Sequence, residues 1–330
     1  MADERFLVTG GTGCIGAWVV RNLIRRGVPV TIVSSRGRLD RLELLLSAEE
    51  VAALNVITAD VTDLAAIEPA ARGRRVTHVI HLAALQLPFC AADPVAGARV
   101  NVQGTVSMFE LCRRLEISRL VYASSAAVYG PKTRYAQDIL PADAELAPTS
   151  HYGVFKVANE QDARVWWETN GIASIGLRPH SVYGPGRDQG ATSKPTLAMI
   201  AAAAGRPFRI DYSGSYQFQF ADDVAQTFIA AARSELAGAN VFSLPGPVTS
   251  VAGVVSAIEQ VEPKSTGRIN VDERVLALPA GFDGAPLESA LGTQHVTPLA
   301  DGIRQTIDTY RAALAAGRLG ADYLGRVLGA

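Results

Sequence analysis

Phe6-Leu7-Val8-Thr9-Gly10-Gly11-Thr12-Gly13-Cys14-Ile15-Gly16 is the stretch whose reading decides the architecture. An apolar, strand-like run ends at Thr9, and a run of good helix formers follows Ile15. Gly11, Gly13 and Gly16 satisfy G-x-G-x-x-G, and Gly10, Gly13 and Gly16 satisfy the related T-G-x-x-G-x-x-G. A glycine pattern alone is weak, but this one lies between a buried strand and a helix, the setting its mechanism needs. Glycines there allow a tight turn, close approach of a pyrophosphate to backbone N–H groups, and close packing of helix on strand, with the helix N-terminus facing the anion. Gly10, Gly13, Cys14, Ile15 and Gly16 are therefore expected to hold the phosphates of a dinucleotide.

Outward from this loop, short apolar runs alternate with longer amphipathic stretches: Val30 to Val33, Val76 to Leu82 and Leu120 to Ala123 read as buried strands of βαβ units. The expected fold is α/β, a doubly wound parallel sheet of the Rossmann type with a smaller, mixed α/β substrate domain at the C-terminal end. The expected division gives 1–179 and about 217–248 to the dinucleotide domain, and about 180–216 and 249–330 to the substrate domain. Two long helices are expected at Pro94 to Leu115 and Thr149 to Asn170.

At the end of the second strand the chain reads Ser34-Ser35-Arg36-Gly37-Arg38. A carboxylate here would bind an adenosine ribose and repel a 2′-phosphate; Ser34 does neither. With Arg36 and Arg38 at hand for a guanidinium grip, NADP(H) is expected over NAD(H), the alternative being two solvated loop charges. After the third strand, Asp60 and Val61 are expected near the adenine, and Asp63 is placed to cap a helix.

Ser124-Ser125 follows the Leu120 to Ala123 strand, and Tyr152 precedes Lys156 by four residues, one helical turn, so both can meet a common ligand. A free phenol has a pKa of about 10, and an adjacent ammonium is expected to lower that of Tyr152 so that it exchanges a proton with a substrate hydroxyl or carbonyl.

These pieces, with His81-Leu82-Ala83-Ala84, Asn101-Val102-Gln103-Gly104-Thr105, Leu177-Arg178-Pro179, Val182-Tyr183-Gly184-Pro185-Gly186 and Asp222-Asp223-Val224-Ala225, resemble the extended short-chain dehydrogenases/reductases, the NAD-dependent epimerase/dehydratase family. The resemblance implies that Ser125 binds the substrate oxygen, Tyr152 is the acid/base, Lys156 holds the nicotinamide ribose, and Asn101 orders its helix and a relay water. It further implies that Leu82, Ala83 and Ala84 lie beneath the cofactor and that the segment from Pro179 to Val182 covers the nicotinamide. Hydride transfer to or from a small polyhydroxylated or hydroxy-carbonyl substrate is the expected reaction, with a cofactor-retaining sugar or nucleotide-sugar epimerase as the alternative.

Departures bear on the substrate. Tyr216 stands where the nucleotide-sugar branch commonly carries a phosphate-binding arginine, and Ala126 and Ala127 stand where dehydratases tend to carry an acidic pair, which argues against water elimination. Ala126, His180, Arg187 and Tyr216 are pocket candidates. Arg187 is either the cation for a substrate carboxylate or a solvated loop charge.

Lys+Arg number 31 and Asp+Glu 32, a formal charge of −1, so no global field draws nucleic acid or an anionic membrane. Hydrophobic residues make up 48% of the chain, yet its longest apolar run, Leu197 to Ala204, falls far short of the roughly 20 residues that span a bilayer. Cys14, Cys90 and Cys112 form no C-x-x-C and no metal pattern, which fits a reducing compartment. With a polar Met1 to Arg5 running straight into a strand, the expectation is an unexported, cytoplasmic protein binding a small molecule and no metal. Trp166 and Trp167 point about 100° apart; with the implied pairing of the two long helices, a homodimer is expected.

Overall fold

The computed structural model describes residues 4–329; residues 1–3, and with them part of the Met1 to Arg5 stretch from which lack of export is expected, lie outside the described residues. Seven strands form the main sheet in the spatial order Ala239–Ser243, Ala173–Arg178, Arg119–Ala123, His78–His81, Phe6–Thr9, Val30–Ser34 and Asn55–Thr58. Every neighbouring pair is parallel. The chain starts mid-sheet, winds out to Asn55–Thr58, then crosses and winds the other way. Strand order thus reverses between Phe6–Thr9 and His78–His81, and a crevice opens there beyond the strands' carboxyl ends. Phe6–Thr9 and Ala173–Arg178 are wholly buried, as strands covered on both faces must be.

The first helix, Cys14–Arg25, buries Trp18, Val19, Val20 and Leu23. Asp63 accepts a hydrogen bond from Ala66 N–H at 3.1 Å and caps the Leu64–Gly73 helix. The stretch expected as one helix from Pro94 is a composite: α-helix at Pro94–Ala98, a π-helical turn at Arg99–Gln103, and α-helix again at Gly104–Arg114. His151–Asn170 is a single helix, opened by Ser150 Oγ accepting from Gly153 N–H at 3.1 Å and closed by Gly171 at φ 68°.

Beyond Arg178 a three-stranded sheet forms, with Ser215–Phe220 between Ser181–Tyr183 and Val248–Ser250. The helix Ala221–Arg233 then returns to the first helix, where Asn22 Nδ2 donates to Asp222 at 2.6 Å, and Ala239–Ser243 joins the main sheet. One hydrophobic core runs through both sheets, from Phe6, Val8 and Trp18 to Phe218, Val254 and Ile303. Among the described residues no helix is long and apolar enough to cross a membrane.

Candidate active site

The glycine loop is locked by near-contacts that only glycine permits. Gly10 has φ +67°, and a Cβ on it would lie 2.6 Å from the Ala83 nitrogen; a Cβ on Gly16 would lie 2.1 Å from the Gly10 oxygen. Leu82 N–H donates to Thr9 O at 3.0 Å and Ala83 N–H to Thr9 Oγ1 at 3.3 Å, so the Leu82-Ala83-Ala84 segment lies against the loop. Gly13 begins the first helix with no side-chain cap, which leaves the first-turn N–H groups at Cys14, Ile15 and Gly16 for an external acceptor. That backbone cradle fits the pyrophosphate of a dinucleotide.

At the ribose edge, Ser34 is buried and its hydroxyl lies 3.0 Å from that of Thr12. Arg36 is exposed, and Arg38 is paired with Asp40. Asp60 accepts from Thr62 N–H at 3.0 Å, Thr62 Oγ1 at 2.8 Å and Arg99 Nη1 at 3.0 Å, so it braces its own loop against the π turn. Val61 packs under the same helix, where a Cβ on Gly104 would meet its Cγ2 at 2.6 Å.

Tyr152, Lys156 and Glu160 occupy successive turns on one face of the His151–Asn170 helix. Lys156 is 3% exposed, its Nζ donates to Ala123 O at 2.6 Å, and it lies 5.6 Å from the Tyr152 ring centre. Burial pushes its ammonium down to about 8, against the raising influence of Cys90 and Glu160. Burial pushes the Tyr152 phenol up, opposed by the Ser125 hydroxyl within hydrogen-bonding reach and by the charge of Arg187. The lowering expected from Lys156 thus comes here from Ser125 and Arg187. Ser125 Oγ also accepts from Ala127 N–H at 3.1 Å, while Ser124 turns inward to Glu160 at 2.5 Å. Of the two serines, Ser125 is the one that meets Tyr152.

Asn101, on the π turn, is 1% exposed. Its side chain takes both backbone groups of Leu85, at 2.7 Å and 2.9 Å, and its carbonyl accepts from Asn159 Nδ2 at 2.9 Å. It therefore ties the segment after His78–His81 to the helix carrying Tyr152.

The substrate candidates fare unevenly. Ala126 is buried beside Ser125, and its N–H donates to Pro179 O at 3.0 Å. Val182 is packed in the main core. His180 departs from its expected place in the pocket: its ring nitrogens lie 3.0 Å from Ser181 Oγ and 2.9 Å from Pro279 O, and burial holds it down near 4. A neutral ring with both nitrogens engaged clamps the 279 segment and has little left for a ligand. Tyr216 likewise departs: it is 1% exposed, donates to Ser213 O at 2.8 Å and accepts from Leu276 N–H at 2.9 Å. Its hydroxyl is spent on backbone groups. Of these four substrate candidates, Arg187 is the one whose charge reaches Tyr152.

Glu160 was not singled out from the sequence, although its spacing from Tyr152 and Lys156 repeats theirs. It receives Arg178 Nε at 2.8 Å and Nη2 at 2.6 Å, and Arg178 Nη1 reaches Tyr129 at 2.7 Å. This buried network joins the end of Arg119–Ala123, the long helix and the end of Ala173–Arg178. Arg41 and Asp188 were also passed over, because neither belongs to a local motif.

A sequence model of the NAD dependent epimerase/dehydratase family matches residues 6–244. UDP-glucose 4-epimerase of Mycolicibacterium smegmatis is 29% identical over 330 residues, which cover 93% of this chain and 98% of that one. Among solved structures, UDP-glucose 4-epimerase of Thermus thermophilus in complex with NAD has a TM-score of 0.77 at 25% identity, with 94% of this chain and 100% of that one covered. MoeE5 in complex with UDP-glucose and NAD has a TM-score of 0.77 at 27% identity, with 94% and 100% covered. These relatives, solved with NAD, overturn the expectation of NADP(H) and point to NAD(H). The physical reason is in the loop: Arg38 is neutralised by Asp40, and Arg36 extends into solvent. With a matching domain covering most of its length, and the glycine loop and Tyr152–Lys156 pair set on a doubly wound sheet, the chain belongs to the NAD-dependent epimerase/dehydratase family.

Proposed function

We propose that the protein is an NAD(H)-retaining epimerase that inverts a hydroxyl-bearing carbon of a sugar or nucleotide sugar. The observation that carries this reading is similarity to a UDP-glucose 4-epimerase along 93% of the chain, in a protein whose Ser125, Tyr152 and Lys156 converge on one site. The net dehydrogenase or reductase reading has less support, since the relatives reported above with a named activity are epimerases. Water elimination is disfavoured because Ala126 and Ala127 supply no acid or base next to Ser125.

When bound, the nicotinamide supplies a reversible hydride acceptor. Tyr152 Oη takes the proton of the substrate hydroxyl as the carbon gives up its hydride, and Ser125 Oγ hydrogen-bonds the oxygen that becomes a ketone. Lys156, fixed by Ala123 O and lying against the Tyr152 ring, keeps a positive charge beside the phenolate that Tyr152 has to be before it takes this proton. After the ketone turns over, Tyr152 returns the proton as hydride is delivered to the other face. Asn101 keeps the Leu85 segment and the long helix in register during both half-reactions.

The dinucleotide unit and the smaller sheet divide cofactor from substrate binding in this reading, with the three unpaired thiols suiting a reducing cytoplasm. A homodimer is part of it: Val154 and Val165, three turns apart on the long helix, are both 49% exposed, and Val95 in the short Pro94–Ala98 helix is 80% exposed. The test is incubation of purified protein with UDP-glucose or UDP-galactose, with products separated and the nicotinamide band monitored. Expected are interconversion without net absorbance change and a loss of about 10²- to 10⁴-fold in Tyr152→Phe. Stoichiometric NADH formation would return the protein to the dehydrogenases.

A further inference from the structure

Two adjacent charges on the loop between Gly184 and Ser193 have opposite surroundings. Asp188 accepts from Arg41 Nε at 3.1 Å and Nη2 at 2.5 Å, and Arg41 Nη1 donates to Thr12 O at 3.3 Å, so the loop is tied to the glycine loop. Trp18 Nε1 donates to Pro185 O at 2.9 Å, and Gly186 N–H donates to Tyr310 Oη at 3.0 Å. Arg187, between these anchors, has no carboxylate partner among the described residues. Its Nη2 makes a long hydrogen bond to Thr192 Oγ1 at 3.4 Å, and its Nε is buried without any hydrogen bond.

Gln86 Oε1 is also buried without a partner. Both side chains close on Gly190, where a Cβ would lie 2.7 Å from Gln86 Oε1 and 2.8 Å from Arg187 Nη2. Gln86 follows Leu85, the residue held by Asn101, so the pair borders the Tyr152 side of the crevice. The Arg187 charge is felt by the Tyr152 phenol. Leaving such groups unpaired in a buried place is costly unless a ligand completes them. A planar guanidinium calls for a carboxylate, and a lone amide oxygen beside it calls for a hydroxyl.

We propose that Arg187 determines specificity by binding a carboxylate on the sugar while Gln86 accepts from a neighbouring hydroxyl, so that the substrate class is a uronate rather than a neutral hexose. This rests on the sugar-epimerase reading above and names its substrate class. Arg41 and Asp188 act as positioning residues that hold Arg187 in place.

The test uses NAD-loaded Tyr152→Phe protein, in which binding is read apart from turnover. It is titrated calorimetrically with UDP-glucuronate against UDP-glucose, and with free glucuronate against glucose. In at least one pair the acid should bind about tenfold or more tightly. Adding Arg187→Gln should erase that preference, and adding Arg187→Lys, which keeps the charge but not the fork, should retain part of it; either variant suffices if the other does not fold. No acid preference in either pair overturns the proposal, as does a preference that survives Arg187→Gln. If Arg187→Gln instead strips NAD from the purified protein while the preference persists, the cation serves the dinucleotide and the proposal fails. Inversion of neutral sugars by the unmodified protein without acid preference would sink this inference alone. Acid-selective binding with no inversion of any sugar would sink the epimerase reading and leave the carboxylate site standing.

Discussion

At Gly10 to Gly16 the chain offers a ligand backbone N–H groups and almost no side chain, whereas around Tyr152 it offers side chains drawn from segments as distant as Gln86 and Arg187. In the first region shape is set by what is missing: a Cβ at Gly16 would sit 2.1 Å from a carbonyl oxygen. In the second it is set by buried polar groups holding one another, with Glu160 receiving Ser124 and Arg178 together. The backbone site depends on sterics and tolerates no added atom. The side-chain site depends on charge pairing and tolerates no missing partner.

That contrast can be broken at either end. Glu160→Ala leaves Arg178, 7% exposed, with only Tyr129 as a side-chain partner, and should cost about 3 to 5 kcal/mol in urea unfolding. A cost below about 1 kcal/mol would mean that water replaces the carboxylate and the network is not truly buried. Gly16→Ala should cost up to about 3 kcal/mol by overpacking and release NAD during gel filtration; unchanged NAD content would show that the loop can yield.

The pH dependence sharpens the side-chain half. Lys156 titrates near 8 in the folded protein, below the roughly 10.4 of an unfolded lysine. Between these values the unfolded chain binds more protons, so stability should rise with pH across that window, by on the order of 2 kcal/mol. Lys156→Met should flatten the rise when unfolding is followed at pH 8 and pH 10. On the acid side, His180 is held near 4. Its native ring stays neutral while the unfolded one charges below about 6.5, so stability should fall as pH drops from there toward 4.

The smallest effect belongs to the loop edge. Arg36→Ala should change NAD affinity by less than about twofold, as for a surface substitution of under about 0.5 kcal/mol. A large loss, read by fluorescence titration, would put Arg36 back in the cofactor site.

The same contrast explains what could be read in advance. Glycine spacing, the Tyr152–Lys156 interval and strand-end Ser125 are local patterns whose geometry follows from secondary structure, and the doubly wound order followed from them. Arg36 and Arg38 were misread because a sequence gives a charge but not where it points; Asp40, two residues on, had already claimed Arg38. His180 and Tyr216 lie in register with the expected pocket, but their hydrogen bonds to Pro279 and Leu276 depend on chain packed back from the C-terminal end. The π turn at Arg99–Gln103 gave no signal, since its 5 residues make little more than one turn, too short a run for a changed period to show in the apolar pattern.

The core that runs through both sheets has a kinetic corollary. Separating the two units as rigid halves would break apart Trp18, Phe220, Val254 and Ile303 together, a cost comparable to unfolding. The Arg41–Asp188 pair, which ties the Gly184 to Ser193 loop to Thr12 of the glycine loop, is by contrast a local contact that can open without that cost. Residence time of a dinucleotide at the glycine loop should thus track the strength of that pair and shorten as salt screens it.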